Sequence, residues 1–467
     1  MKKTIFLTVF LFSLTSSFFT QHTAKLDSSF LTIGEFWDGY LNQYHSIISS
    51  AALPDSTLVY VAQITAGSGP SAMIKLKNDG TIDSTFGTNG KMTYTINGSA
   101  PTVKAIKLFN GKLYLSGKVG RDKFVTRINT NGTIDNTFGV SGSRTINYST
   151  PIVDITNSFA MDTSGNSYIG ARFTNLTTSI TELSVTKINS SGNVVTSFGS
   201  SGRASFILPT GAVSALSDLA IDSSQRIIAA ACGSNTGNNV VLIVKFNQNG
   251  TLYTGFNSTG YKEWTFSGAD TYQVATNEIL ADNDKIIVAG EYLVSGSPNA
   301  FVFKLKPNGD YDSTFANNGT LLYQNGSLDI NFSDAAFSPN KSIMISGAAG
   351  YGTGSHISLL KIKPNGVIDS TFATNGMFLN QVGTRWEKNV AECLSVYQDG
   401  RVFLGGNSSD CDQTLCYFTS SMSRVRFDDY IDPGTGGDTT LNDTTSHTAI
   451  SELNLLEDLK MEPETYL

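Results

Sequence analysis

The stretch NDGTIDSTFGTNG at 78–90 returns as NGTIDNTFGVSG at 131–142 and as NGVIDSTFATNG at 365–376. Its phenylalanine recurs as Phe30, Phe86, Phe138, Phe198, Phe256, Phe315 and Phe372, at spacings of 52 to 60 residues. A fixed period of this size is the signature of a repeat architecture, in which each unit buries its faces only against its neighbours. One unit of nearly sixty residues fills most of the 467-residue chain, which is too long for a single ordinary core.

Each unit reads as four strands. After the phrase at 78–90 comes KMTYTI, alternating as a strand does. Then VKAIKLFNGKLYLSG gives two alternating runs joined at Asn110–Gly111, a step that tolerates positive φ and marks a hairpin. KFVTRI follows, and the phrase returns. Lettering the hairpin A and B and the KFVTRI run C, the phrase is the C-to-D connection. SDLAIDSSQRIIAAA, NEILADNDKIIVAG and SVYQDGRVFLGG repeat the hairpin. Such units are expected to be blades of a β-propeller.

The chain's ends fit a ring. It opens with the tail of a phrase, AKLDSSF, and a D-like run, GEFWDGY; its last unit has A, B and C runs but no D. The expectation is an all-β, seven-bladed β-propeller of four-stranded blades over 24–430, closed by the N-terminal strand joining the last blade. Closure of this kind removes exposed sheet edges.

Composition narrows the function classes. Charged residues are 15 % and the net charge is −7, with no basic run, which argues against nucleic acid as a partner. MKKTIFLTVFLFSLTSSFFTQ sets two lysines before a short apolar core and small polar residues. That is the order of a secretory signal peptide, placed at 1–21, and the core is short for a membrane span. No later segment is apolar enough to cross a membrane. Export permits disulfides. Cys411 and Cys416 are close enough to staple one loop, whereas Cys232 and Cys393 read as small strand residues.

The phrase pattern [RK]-[LI]-x-x-[DN]-G-x-[LI]-D-x-[ST]-F-G, with the following DGK-[IL]-x-[VL]-x-G, resembles the delta-60 repeats of bacterial secreted proteins over about residues 24–427. The resemblance implies a propeller-like fold and export, and brings no catalytic residues. After a Gly/Thr/Asp linker at 431–447, AISELNLLEDLKMEPETYL at 448–467 resembles the entry to the C-terminal sorting domains of type nine secretion cargo, truncated before its remaining strands. The spacing of Ile450, Leu453, Leu456 and Leu459 fits a short helix equally well.

Within the phrase, Asp27, Asp83, Asp135, Asp312 and Asp369 share one position, which Val195 and Tyr253 occupy in the other two copies. One carboxylate per copy, twice missing, makes a poor cage for a cation that wants six to eight oxygens. A structural role is expected: the Asp accepts from backbone N–H groups of its own turn and the Phe pegs the turn to the blade.

A site is sought where repeats stop agreeing. The column just after strand B reads Ile64, Lys118, Arg172, Cys232, Glu291, Ala348 and Asn407. Lys118, Arg172, Glu291 and Asn407 are the candidate ligand-binding residues. The four histidines form no metal spacing or triad, and no phosphate loop, nucleophile elbow or zinc-protease motif occurs. The expected protein is a secreted or outer-surface monomer without a cofactor. It would bind or scaffold an extracellular glycan or surface protein without catalysis. The alternatives are a polysaccharide hydrolase or lyase with its site at one channel mouth, and a structural adhesion component.

Overall fold

The computed structural model describes residues 24–31, 35–37, 46–63, 71–147, 158–174, 180–209, 211–235, 238–265, 274–294, 297–324, 328–351, 354–382, 388–411 and 416–427. The proposed signal peptide, linker and tail lie outside them. Packing divides the chain into Met1–Tyr430 and Ile431–Leu467. The regular secondary structure described is all strand. Among the described residues no helix is long and apolar enough to cross a membrane.

Five sheets are antiparallel four-stranded meanders, over 46–92, 102–146, 158–206, 211–264 and 274–323. In the first, A is Ser46–Ala52, B Leu58–Gln63, C Ser71–Leu76 and D Lys91–Met92. The sixth sheet has nine strands. It consists of a meander over 329–380 and a unit whose A, B and C strands run over 388–426, joined by one parallel bridge, Ser355 to Lys388. The C strand of that last unit, Cys416–Arg426, pairs with both N-terminal strands, Lys25–Leu26 and Glu35–Trp37. Glu35 faces Ser423 and Trp37 faces Ser421, so the D-like run pairs where the sequence places it.

The first and last units also touch directly. Ser50 and Ser395 share a hydrogen bond of 2.7 Å, and Phe30, Ile47, Leu58, Phe403 and Met422 pack in one apolar cluster. Arg424 donates to the backbone carbonyl of Asn78. Further clusters fill the spaces between successive sheets.

The phrase clasps neighbouring units together. In six copies the residue after the Phe donates its N–H to a carbonyl in the next phrase: Leu31 to Asp79, Gly87 to Asn131, Gly139 to Ser191, Gly199 to Asn249, Asn257 to Asn308 and Ala316 to Asn365, all at 2.7–2.9 Å. The backbones approach so closely that a Cβ on Gly132 would lie 2.6 Å from the nitrogen of Gly87, and Gly132 has φ +84°. Glycine therefore satisfies both the turn and the contact. All seven phenylalanines are at most 1 % exposed, each burying apolar surface worth roughly 1.5–3 kcal/mol.

The phrase aspartate serves the same end. In five copies its Oδ1 accepts from the Ser or Thr hydroxyl two residues on: Ser29, Thr85, Thr137, Thr314 and Thr371. Its N–H bonds the carbonyl of a cationic strand-C residue, and that position holds a cation in every unit: Arg424, Lys75, Arg127, Lys187, Lys245, Lys304 and Lys361. Asp27, Asp83, Asp135 and Asp369 pair with theirs at 2.7–3.4 Å. Where Tyr253 replaces Asp, Asp222 from the A-to-B turn lies 2.8 Å from the fully buried Lys245, close but off the line of a good hydrogen bond. Where Val195 replaces it, Lys187 sits over the rings of Tyr168 and Phe198. The cation persists and its counter-charge moves.

Candidate functional site

Alternating strands turn the phrase and the A-to-B turns toward one end of every sheet, and the starts of A and ends of B toward the other. At that second end, strand A carries a bulge in six units, between Ile47 and Ser49, Val103 and Ala105, Leu216 and Asp218, Thr276 and Glu278, Phe332 and Asp334, and Ala391 and Cys393. A bulge bends the strand and re-aims the extra residue. It also crowds strand B. A Cβ on Gly406 would lie 1.8 Å from the carbonyl oxygen of Val390, which explains the small residue ending the strand-B motif.

The pairing register sets Lys118 opposite Thr102, Glu291 opposite Ala275 and Asn407 opposite Val390, with Arg172 and Cys232 at the same position of their units. The column is therefore real, with one correction. Gln63, not Ile64, occupies it in the first unit, opposite Ser46, and Ile64 lies outside the described residues. Gln63 stands five residues after Leu58, the start of strand B, as Cys232 stands after Ile227 and Glu291 after Ile286. Cys232 and Cys393 are strand residues that keep their thiols, and burial pushes the Cys393 thiol well above its ordinary value.

The candidate residues fall into two groups. In the first, Asn407 donates to Glu392 at 2.5 Å and approaches Ser46 at 3.5 Å, while Lys104 reaches Gln63 at 3.5 Å. Burial raises the Glu392 pKa against the pull of Ser46, Lys104 and Asn407. Burial lowers that of Lys104, and Lys118 adds to the shift while Glu392 opposes it. Lys118 and Asn407, distant in sequence, thus end one arc whose middle is Lys104 and Glu392. Sequence reasoning missed both middle residues, which are the extra residues of two bulges. Their signal is a charge interrupting an apolar run, in VKAIKLF and VAECLSV.

The second group surrounds Glu291. It lines a cleft of about 370 Å³ between the fifth, sixth and last units, with Asp329, Asn331, Phe332, Ser355 and Lys388. Burial raises the Glu291 pKa. Arg172 is half-buried at its own register position and lines neither the arc nor the cleft.

Deeper along strand A, side chains tie one unit to the next. Ser49 accepts from the N–H of Ile106 at 3.1 Å, and Asp334 accepts from that of Leu394 at 2.8 Å. Burial pushes Asp334 up to about 6, with the charge of Asp218 adding to it and Leu394 and Lys107 opposing. Among the described residues no cluster of His, Cys, Asp and Glu could hold a metal ion.

Residues 110–138, 282–315 and 338–372 match the family model described as domain of unknown function (DUF5122) beta-propeller. Three of the repeat units thus match a beta-propeller family model. Each matched stretch starts in or beside an A-to-B turn and ends at the phrase phenylalanine, so the model captures the clasped end. No curated protein matches the sequence. Among solved structures, a catalytically inactive virginiamycin B lyase from Staphylococcus aureus with quinupristin is similar at 9 % identity and TM-score 0.44, over 83 % of this chain and 98 % of that one. An aldose sugar dehydrogenase from Streptomyces coelicolor aligns at 13 % identity and TM-score 0.39, over 67 % and 92 %. The GH93 α-L-arabinofuranosidase of Fusarium graminearum, with arabinobiose, aligns at 12 % and 0.36, over 84 % and 97 %. Likenesses of this size bear on no activity of the present chain.

Proposed function

We propose that the chain is an exported, seven-bladed propeller closed through its N-terminal strands, acting at the cell surface or released as a non-catalytic binding module. The ring reading is supported by the pairing of Lys25–Leu26 and Glu35–Trp37 with the last unit and by the Ser50–Ser395 contact across the seam. Export rests on the order of charge, apolar core and small residues at 1–21, and surface sorting on the tail at 448–467. We also propose a Cys411–Cys416 disulfide, since the register makes the two residues direct cross-strand partners.

One observation carries the binding reading. At the end opposite the phrase, a single structural column changes its chemistry from unit to unit, holding Gln63, Lys118, Arg172, Cys232, Glu291, Ala348 and Asn407. A scaffold that repeats its own stabilising groups faithfully has no packing need for that variety. A partner glycan or surface protein is expected there.

Glycan-array binding and surface-protein capture with the exported form test this reading. Binding weakened by Lys104→Ala or Glu291→Ala but not by a phrase substitution supports it; silence in both assays contradicts it. The hydrolase or lyase alternative draws on the raised pKa values of Glu291, Glu392 and Asp334. Glu392 and Asp334 are already engaged, by Asn407 and by the Leu394 N–H, which favours the binding reading. Release of reducing ends from extracellular polysaccharide, abolished by Glu392→Gln, would reverse that preference.

A further inference from the structure

The cleft around Glu291 differs from the settings of Glu392 and Asp334 at this end. Elsewhere the buried carboxylates have donors: Glu392 takes Asn407, and Asp334 takes the Leu394 N–H. Glu291 Oε2 is shielded from solvent and has no hydrogen-bond partner among the described residues. A buried acceptor without a donor is costly in a folded chain and marks a place where something else supplies the donor.

The cleft's volume of about 370 Å³ falls in the class of small-ligand sites. Its walls are fixed. The Ser355–Lys388 bridge stitches two units together there, and Ser355 Oγ both donates to Asn389 O and accepts from Asn389 N. The hairpin backbone at its wall is tightly closed, since a Cβ on Gly350 would lie 2.0 Å from the carbonyl oxygen of Gly354. Asp329, Asn331 and Ser333 present acceptors and an amide beside Glu291, with Phe332 as the apolar base. The lining holds two carboxylates, Glu291 and Asp329, and one lysine, Lys388.

We infer that this cleft is a saccharide subsite for a neutral or amine-bearing sugar, which donates a hydroxyl or ammonium hydrogen to Glu291. The inference rests on the binding reading above and names its ligand class. The many polar groups on several walls suit a polyol better than an apolar peptide side chain. The excess of carboxylate over lysine disfavours uronates, whose own carboxylate would ask for an arginine or paired lysines.

The test is calorimetric titration of the whole exported chain with cellohexaose, a chitosan hexamer and hexagalacturonate. Binding of one or both of the first two is expected, with hexagalacturonate at least tenfold weaker. Glu291→Ala should weaken that binding at least tenfold without lowering the melting temperature, and Asp329→Asn should weaken it several-fold. Asp83→Ala, in the phrase at the opposite end of the first unit, should leave it unchanged. Preference for hexagalacturonate overturns the ligand class, and failure of the native chain to bind any of the three overturns the subsite. Retained affinity in Glu291→Ala with loss in Lys104→Ala overturns the subsite while leaving the binding reading standing. Surface-protein capture, run in parallel, shows whether that broader reading has failed as well.

Discussion

The two ends of the sheets are built by opposite rules. At the phrase end the units repeat one solution: a buried Phe and a strand-C cation in all seven, a phrase carboxylate in five, and a backbone hydrogen bond to the next phrase in six. When a carboxylate is lost at Tyr253, Asp222 replaces it from another turn. At the bulge end only the backbone repeats. The side chains it presents vary from Lys104 to Ser333 to Glu392, and for one of the neighbouring carboxylates, Glu291, Oε2 has no donor among the described residues. Compensation is the mark of a group the fold needs, and variation on a fixed frame is the mark of a surface free to acquire a ligand.

The largest effect that would break this comparison is at the seam. Asp27 is 1 % exposed and lies 2.7 Å from Arg424 and 3.4 Å from Arg401, both nearly fully buried. Burial alone would raise its pKa, but the Ser29 hydroxyl and the Arg424 charge hold it below the ordinary value. Asp27→Ala leaves the buried Arg424 without its carboxylate, while Arg401 keeps Asp399 at 2.7 Å, and should cost about 3–5 kcal/mol in urea unfolding. A loss under about 1 kcal/mol would mean that the phrase aspartates do not hold the first and last units together.

The two ends should also respond oppositely to pH. Asp334 is raised to about 6, so the folded chain binds the proton more tightly than the unfolded one. Stability should then fall as pH rises from about 4 to about 6, by up to roughly 2–3 kcal/mol. Asp312 is lowered to about 2, where the Lys285 and Thr314 contacts outweigh burial, so its contribution is present above about pH 4 and is lost on acidification toward 2. Asp334→Asn keeps an acceptor for Leu394, and should flatten the upper slope and stabilise the chain at pH 7. An unchanged slope in that variant would contradict the assignment.

The Cys411–Cys416 bond would tie the open end, and reduction should cost about 2 kcal/mol for so short a loop. Alkylation before and after reduction counts the thiols, and four reactive thiols without reductant would exclude the bond. The smallest expected effect sharpens the phrase argument. Val195 already donates its N–H to Lys187 O as the phrase aspartates do to their own cationic residues, and Ser197 stands two residues on. Val195→Asp should therefore fall within about 1 kcal/mol of the native chain, whereas burying a lone charge elsewhere in the core would cost several times more.

The repeat was legible because its unit is spelled out in turn chemistry, and turn residues are dictated locally. The pairing of 35–37 with 421–423 followed from counting which unit lacked a D strand. The clasp was not legible, since its acceptors are backbone carbonyls that any residue carries. The bulges were hidden for a related reason: an extra residue in strand A leaves the hairpin turn unchanged and shifts only the register. Gln63 rather than Ile64 belongs to the column because the first strand B starts at Leu58, as far before Gln63 as Ile227 stands before Cys232. Glu291 and Asn407 were found because the column is a sequence position. Lys104, Glu392, Asp329 and Lys388 were missed because their placement depends on bulges and on contacts between units.

The division of labour between the two ends is tested most directly by titrating a chitosan hexamer into Glu291→Ala and Asp83→Ala, each confirmed folded at the measuring temperature. The account predicts that Asp83→Ala, although less stable, binds like the native chain, while Glu291→Ala is as stable as the native chain and binds at least tenfold more weakly. Native affinity in Glu291→Ala together with lost affinity in folded Asp83→Ala would contradict it.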